Sequence, residues 1–228
     1  MPAADAADRA ANGTSSSPSP PASSSPSPPT QQGASKYAIR LFGPKDDHSI
    51  CKIYIEKAKK TPRVQELVGA ITDLGCPIDL DTMVDCRKCS IAATGGFIAN
   101  HQGLKEGDYK PKVVVCEDNL LGSHYVAQTL AHELVHAYDQ CRAKVNWRSC
   151  YHYACTEIRA STLSGECDFV EEFDRGNFGM RAQHQECVRR RAELSMMVNE
   201  SCKGKAKEVI EKVFARCYQD TAPYDKIP

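Results

Sequence analysis

The run of residues from 132 to 136 reads H-E-L-V-H and contains the side chains that metal-assisted hydrolysis requires. On a helix, His132 and His136 lie one turn apart on the same face, where two imidazoles could bind one tetrahedral metal ion. Glu133 lies one step further round the helix, so its carboxylate could accept a proton from a water molecule instead of binding the metal. The pattern therefore predicts two metal ligands and a catalytic base.

The sequence around this run favours a zinc peptidase of the zincin type over a chance match or a pair of solvated histidines. Val126, Leu130 and Leu134 recur at helical spacing, and they predict an amphipathic helix over residues 124–142 with Ser123 as its N-cap. The two histidines flank the apolar face of this helix. We therefore expect them to lie at the edge of a cleft and to bind zinc.

A catalytic zinc site typically needs a third protein ligand and keeps its fourth position open. We predict Glu157 as that ligand, because it begins a helix-compatible run. Ala160 and Ser161 follow it and are small, so a second helix carrying Glu157 could pack closely on the first. Glu166 and His152 are the alternatives for the third ligand.

Two further roles near the predicted metal follow from residue types and spacing. Asp139 comes three residues after His136 on the same helix, so it is too close in sequence to approach the metal from the opposite side. We expect Asp139 to accept the second N–H of a ligand histidine. Peptide hydrolysis also needs a donor to the developing oxyanion, and Tyr138, His152 and Tyr153 are the candidates.

Four runs carry a resemblance that is more specific than H-E-x-x-H alone: HELVHAYD at 132–139, CR at 141–142, ACTEIRA at 154–160 and LSGEC at 163–167. They resemble the mitochondrial inner-membrane metalloproteases that assist ATP synthase assembly, a family in which some members are also named Ku-binding protein. The resemblance covers roughly residues 37–227. It identifies His132 and His136 with the metal ligands and Glu133 with the catalytic glutamate.

This resemblance implies a zinc-dependent endopeptidase of the mitochondrial intermembrane space, peripheral to the inner membrane. Its protein substrate would be the precursor of an ATP synthase membrane subunit, trimmed at its N-terminus, or an intermembrane-space protein marked for turnover. The family also implies two alternatives of other classes. One is an assembly chaperone that acts without proteolysis, and the other is a Ku-binding protein in DNA repair.

The predicted fold is α+β, with a zincin-like metallopeptidase domain over residues 36–228 and a small mixed sheet packed on the H-E-x-x-H helix. Thr61-Pro62 and Gly75 are typical of the start and the end of one helix. Periodicity predicts further helices at 48–60, 183–202 and 204–218, and strands at 78–84, 90–99 and 112–116. We expect strand 113–116 to be an exposed edge that pairs with substrate, with an ordinary core strand as the alternative.

Composition limits the partners of the chain. Residues 1–35 are rich in Ala, Ser and Pro and have too few apolar side chains to fold, so we expect a disordered tail that does not resemble a transit peptide. The 29 basic and 29 acidic residues cancel, so no nucleic-acid partner is expected. No apolar run is long enough to span a bilayer, so membrane attachment should be peripheral or through a partner. The basic run at 189–191 is expected on a solvated helix face, with contact to anionic lipid as the alternative.

Cysteine usage points to an oxidising compartment. The twelve cysteines all lie between Cys51 and Cys217, and their even number favours a framework of disulfides that staples the helices together. Half of a structural zinc site at Cys86-x2-Cys89 is the weaker alternative, because no matching second half follows. We expect Cys141 and Cys155 to be bridged to other elements, which would hold the two ligand-bearing helices in register.

Overall fold

The computed structural model describes residues 46–99, 110–143, 145–177 and 182–228. The tail predicted for residues 1–35, and the start of the domain at residue 36, lie outside these residues. Among the described residues, no helix is both long and apolar enough to cross a membrane.

Helices dominate the described chain. In order, its elements are α1 (Asp47–Ala58), α2 (Pro62–Asp73), α3 (Leu80–Met83), β1 (Val84–Arg87), β2 (Gly95–Ile98), β3 (Lys112–Cys116), a 3-10 turn (Glu117–Asn119), α4 (Ser123–Ala143), α5 (Cys150–Leu163), α6 (Phe169–Asp174), α7 (Gln183–Val198), a second 3-10 turn (Lys203–Lys205) and α8 (Ala206–Gln219). The predicted α+β class with a small sheet is therefore confirmed.

Local signals account for the helix ends that the sequence predicted. Helix α2 has Thr61 as its N-cap and a proline in its first turn, and Gly75 follows its C-cap with φ of +83°. A positive φ is accessible to glycine at little cost, which explains why the helix ends there. Helix α4 begins and ends within one residue of the predicted range, although Ser123 is its first residue rather than its cap.

The sheet has three strands in the order β1-β3-β2, with β1 parallel and β2 antiparallel to β3. The mixed sheet is confirmed, but the expectation that strand 113–116 forms an exposed edge is wrong. This strand is central, and both Val113 and Val115 are buried. The core-strand alternative is correct, and β2 is the edge strand that contacts α4.

Two other strand predictions need correction. Residues 80–83 form the helical turn α3 rather than a strand, because the Asp79 carboxylate accepts the Asp81 N–H at 2.9 Å and caps it. The strand that follows begins only at Val84. The strand predicted over 90–99 is limited to β2, which includes Gly95 and Gly96.

Two groups of buried apolar residues meet where α4 and α5 pack together. The first joins α1, α2, the sheet and α4, and it includes Leu67, Leu130 and Leu134. The second joins α5, α7 and α8, and it includes Ile158 and Phe214. Helix α5 contributes to both groups, since Ala160 and Leu163 belong to the first. The two helices that carry the predicted ligands are therefore fixed by packing on both sides.

All twelve cysteines are described, and all are paired. The disulfides are Cys51–Cys86, Cys76–Cys141, Cys89–Cys116, Cys150–Cys202, Cys155–Cys217 and Cys167–Cys187. The predicted oxidised framework is confirmed, and the zinc alternative at Cys86 and Cys89 is wrong because each pairs with a distant cysteine. As expected, Cys141 and Cys155 join α4 and α5 to other elements.

Candidate metal centre

The side chains of His132, His136 and Glu157 converge between α4 and α5. Their potential ligand atoms all lie within 4.8 Å of one another. The Glu157 carboxylate is 3.2 Å from His132 Nε2 and 3.5 Å from His136 Nε2. Ala160 and Ser161 are small and fully buried, which permits close approach of the helices. The sequence-predicted ligand set is thus brought together in space.

The donor chemistry of this cluster suits a divalent metal ion. Both histidines direct Nε2 toward Glu157, while their Nδ1 atoms are engaged elsewhere. Two imidazole nitrogens and one carboxylate are a common ligand set for zinc. Burial lowers the pKa of His136 to about 4, so this ring is neutral and its Nε2 lone pair is available to a metal.

Glu166 contacts the opposite nitrogen of His132, so it is not placed as a ligand. Its Oε1 lies 3.1 Å from His132 Nδ1, and its Oε2 pairs with Arg191 Nη2 at 2.6 Å. Burial alone would raise the pKa of Glu166, but the charges of His132 and Arg191 lower it well below the ordinary value. The ionised carboxylate therefore orients the imidazole, as partners of metal-bound histidines commonly do.

A hydroxyl group links His136 to Asp139. With Nε2 directed at Glu157, His136 Nδ1–H donates to Thr156 Oγ1 at 2.9 Å, and that hydroxyl donates to Asp139 Oδ2 at 2.9 Å. Asp139 also accepts from Arg159 Nε at 3.0 Å. The expectation that Asp139 would accept the histidine N–H directly is wrong, because Thr156 lies between the two side chains.

Glu133 lies beside the cluster on a cleft of about 240 Å³. One wall is the start of β2, where a Cβ built on Gly95 would be 3.5 Å from Glu133 Oε1. Helix α7 also lines the cleft, with Leu194 and Val198, which are 55% and 52% exposed. Burial raises the pKa of Glu133 to about 8. A carboxyl with a pKa this close to neutral can both accept and release a proton.

Of the three candidate oxyanion donors, Tyr153 is the one beside the cluster. Its phenol interacts with Glu157, and burial, followed by the charge of that carboxylate, raises its pKa. Tyr138 is buried in the first apolar group. His152 lines a separate cavity of about 560 Å³ and is not part of the described ligand cluster.

Three residues near the site escaped sequence reasoning. Thr156 directly precedes Glu157. A hydroxyl group next to a predicted ligand is the feature of the sequence that could have indicated its role. Arg191 belongs to the basic run that was expected to be solvated, yet it pairs with Glu166. The single tryptophan, Trp147, has its ring centroid 5.8 Å from that of His136. No local pattern in the sequence predicts this contact between Trp147 and His136.

Comparisons with known proteins show that the chain is similar to peptidases. The model of the Peptidase M76 family matches residues 49–225. The mitochondrial inner membrane protease ATP23 homolog of Danio rerio is 39% identical over 181 residues, which are 78% of this chain and 68% of that protein. The human ATP23 homolog is 36% identical over 181 residues, 78% of this chain and 70% of the human protein. The ATP23 protease of Schizosaccharomyces pombe is 37% identical over 171 residues, 74% of this chain and 86% of that protein. No solved structure matches the chain.

Proposed function

The chain belongs to the Peptidase M76 family, and we propose that it is a zinc-dependent, zincin-like endopeptidase. In this proposal His132, His136 and Glu157 hold the zinc ion and Glu133 is the catalytic base. The observation that carries the proposal is the convergence of two imidazole Nε2 atoms and one carboxylate within 4.8 Å, beside a cleft that also contains Glu133.

The residues of the cluster fit the proposed metal. The imidazole Nε2 atoms face the Glu157 carboxylate, and Glu166 and Thr156 hold the Nδ1 sides of the two rings. When bound, zinc supplies Lewis acidity, which polarises a carbonyl group and makes water a stronger acid. The supporting hydrogen bonds keep both rings oriented for that role.

The protein side chains account for the proton movements. The Glu133 carboxylate accepts a proton from the attacking water and then delivers it to the leaving amine, which its near-neutral pKa favours. The Tyr153 hydroxyl is near Glu157 and can donate a hydrogen bond to the carbonyl oxygen as negative charge develops there. Carbonyl addition and amine departure therefore each have a proton donor or acceptor in place.

An extended polypeptide fits the cleft better than a small molecule. Among the described strands, β2 pairs only with β3, so its other edge can form backbone hydrogen bonds with a peptide. The exposed residues Leu194 and Val198, which line the same cleft, suit apolar side chains of such a peptide. We therefore propose protein substrates with apolar residues close to the scissile bond.

The proposed location is the mitochondrial intermembrane space, peripheral to the inner membrane. Several relatives are named mitochondrial inner membrane proteases, and the framework of six disulfides requires an oxidising compartment. On the resemblance described above, the substrates would be inner-membrane or intermembrane-space proteins. They would include the precursor of an ATP synthase membrane subunit, and processing of that precursor would assist assembly.

The test uses the purified, oxidised full chain with measured zinc content and a protein substrate. Wild type should carry about one zinc ion per chain. Glu133→Gln should keep the zinc but slow hydrolysis by roughly 10²- to 10⁴-fold, the usual contribution of a general base. His136→Ala should lose both zinc and hydrolysis, whereas the control His152→Ala should lose neither. A Glu133→Gln protein that cleaves at the wild-type rate would refute the proposed mechanism.

A further inference from the structure

We propose that the segment after α8, residues 220–224, positions the metal ligand His136 through a chain of buried hydrogen bonds. In this proposal Asp220 is a positioning residue for the metal centre, although it lies 84 residues from His136 in sequence. The inference rests on the proposed function, because it assumes that His136 binds the metal.

The inner part of the chain joins α4 to α5. His136 Nδ1–H donates to Thr156, Thr156 donates to Asp139, and Asp139 accepts from Arg159 Nε. The side chains between the ligand and the guanidinium are almost completely buried, with relative exposures of 3% for Asp139, 2% for Thr156 and 1% for Arg159. Water cannot replace a lost partner at these positions, so each link affects the next.

The outer part of the chain joins Arg159 to the C-terminal segment. The Nη1 group of Arg159 donates to the backbone oxygen of Asp220 and lies 2.7 Å from its Oδ1. The Nη2 group of Arg159 donates to the backbone oxygen of Ala222. All three nitrogens of this buried guanidinium are therefore engaged, one by Asp139 and the other two by the segment. The position of the segment determines the position of the guanidinium.

A second arginine makes the arrangement electrostatically balanced. Arg142 binds Asp220 through two hydrogen bonds of 3.0 and 2.8 Å, and it also contacts Asp139 at 3.3 Å. Two guanidinium groups are thus shared between two carboxylates. Removal of the Asp220 carboxylate would leave Asp139 as the one carboxylate between Arg142 and Arg159, with two positive charges against one negative charge.

This imbalance should weaken metal binding through the hydrogen-bond chain. Asp139 would be attracted more strongly to the two guanidiniums, so it would accept a weaker hydrogen bond from Thr156. His136 would then be less firmly oriented and less basic at Nε2.

The segment is anchored well enough to act as a support. Thr221 Oγ1 donates to the backbone oxygen of Tyr224 at 2.9 Å, and the Tyr224 N–H donates back to Thr221 at 2.9 Å. Ala222 and Tyr224 pack against the first apolar group. The disulfide between Cys155 and Cys217 ties α5 to α8 just before the segment begins.

The experiment measures the zinc dissociation constant of the oxidised full chain by competition with a chromophoric chelator. Asp220→Ala should weaken zinc binding by about tenfold, the lower end of the range for residues that support metal ligands. The matched control is Asp225→Ala, which removes the same charge from the exposed position directly after the segment. Its dissociation constant should stay within about twofold of wild type, because separated surface charges interact weakly.

A double-mutant cycle separates positioning from general loss of stability. Thr156→Val interrupts the chain beside His136, so Asp220→Ala should have little further effect on zinc affinity in that background. A purely structural role of Asp220 would instead give additive losses of zinc affinity. It would also leave the ligand-field spectrum of cobalt-substituted Asp220→Ala the same as that of cobalt-substituted wild type. Additive losses, wild-type affinity in Asp220→Ala, or an equal loss in Asp225→Ala would each overturn the inference. Wild type without zinc, or His136→Ala with normal zinc, would instead refute the proposed function.

Discussion

The roles of Glu157 and Glu166 can be separated by two isosteric substitutions. Both carboxylates are buried and both contact His132, but they contact different nitrogens. Glu157→Gln removes the only carboxylate from the ligand cluster and should abolish stoichiometric zinc binding. Glu166→Gln removes a support and should leave one zinc ion per chain with a weaker affinity.

The magnitude for Glu166→Gln follows from one hydrogen bond. A hydrogen bond to a charged group contributes about 1.5–3 kcal/mol and a neutral one about 0.5–1.5 kcal/mol, so the loss at His132 Nδ1 should be about 1–2 kcal/mol. This energy corresponds to a weakening of zinc binding by about tenfold. Arg191 also loses its partner, but its side chain is 37% exposed and can be solvated by water.

Zinc competition with a chelator, performed on the oxidised full chain, measures both effects. Glu171→Gln is the matched control, because Glu171 is also a buried carboxylate and pairs with His124 at 2.5 Å outside the ligand cluster. Its zinc affinity should equal that of wild type. The assignment is refuted if Glu166→Gln loses zinc completely while Glu157→Gln retains it, since Glu166 would then be the ligand.

Two further predictions concern the elements that hold the cleft. Replacement of both Cys155 and Cys217 by alanine removes a disulfide that links residues 62 positions apart. On the chain-entropy model this should lower the free energy of unfolding by about 4 kcal/mol. An unchanged denaturation midpoint would contradict this prediction. Gly95→Ala should reduce stability by about 1–3 kcal/mol and slow hydrolysis, because the new Cβ would lie 2.6 Å from the Thr129 methyl group and 2.9 Å from a β3 carbonyl oxygen. Gly96→Ala is its control, since nothing lies within 4 Å of that Cβ, and equal effects of the two substitutions would exclude the steric argument.

The features that the sequence predicted well are those with a local physical cause. Helix α4 has apolar residues at helical spacing. Helix α2 has a proline in its first turn and Gly75 after its end. The two histidines of H-E-x-x-H share a helix face by geometry alone. Small residues after Glu157 predict close helix packing there, and both Ala160 and Ser161 are buried.

The features that were missed depend on contacts between distant parts of the chain. Strand β3 is central because both β1 and β2 pair with it, and no periodicity in 112–116 encodes these partners. Thr156 lies 20 residues from His136, and Arg191 lies 25 residues from Glu166, so neither contact has a local signature. Residues 80–83 form a helical turn because the Asp79 side chain caps it, although the apolar residues of 78–84 favour a strand.

The position of the metal tests the central claim most directly. Crystals of zinc-loaded protein, measured above and below the zinc absorption edge, would give an anomalous difference map. The account predicts one strong peak about 2.0–2.2 Å from His132 Nε2, His136 Nε2 and a Glu157 carboxylate oxygen, with Glu133 outside the coordination sphere. A peak coordinated by Glu166 or Glu133 in place of Glu157, or no peak between α4 and α5, would contradict it.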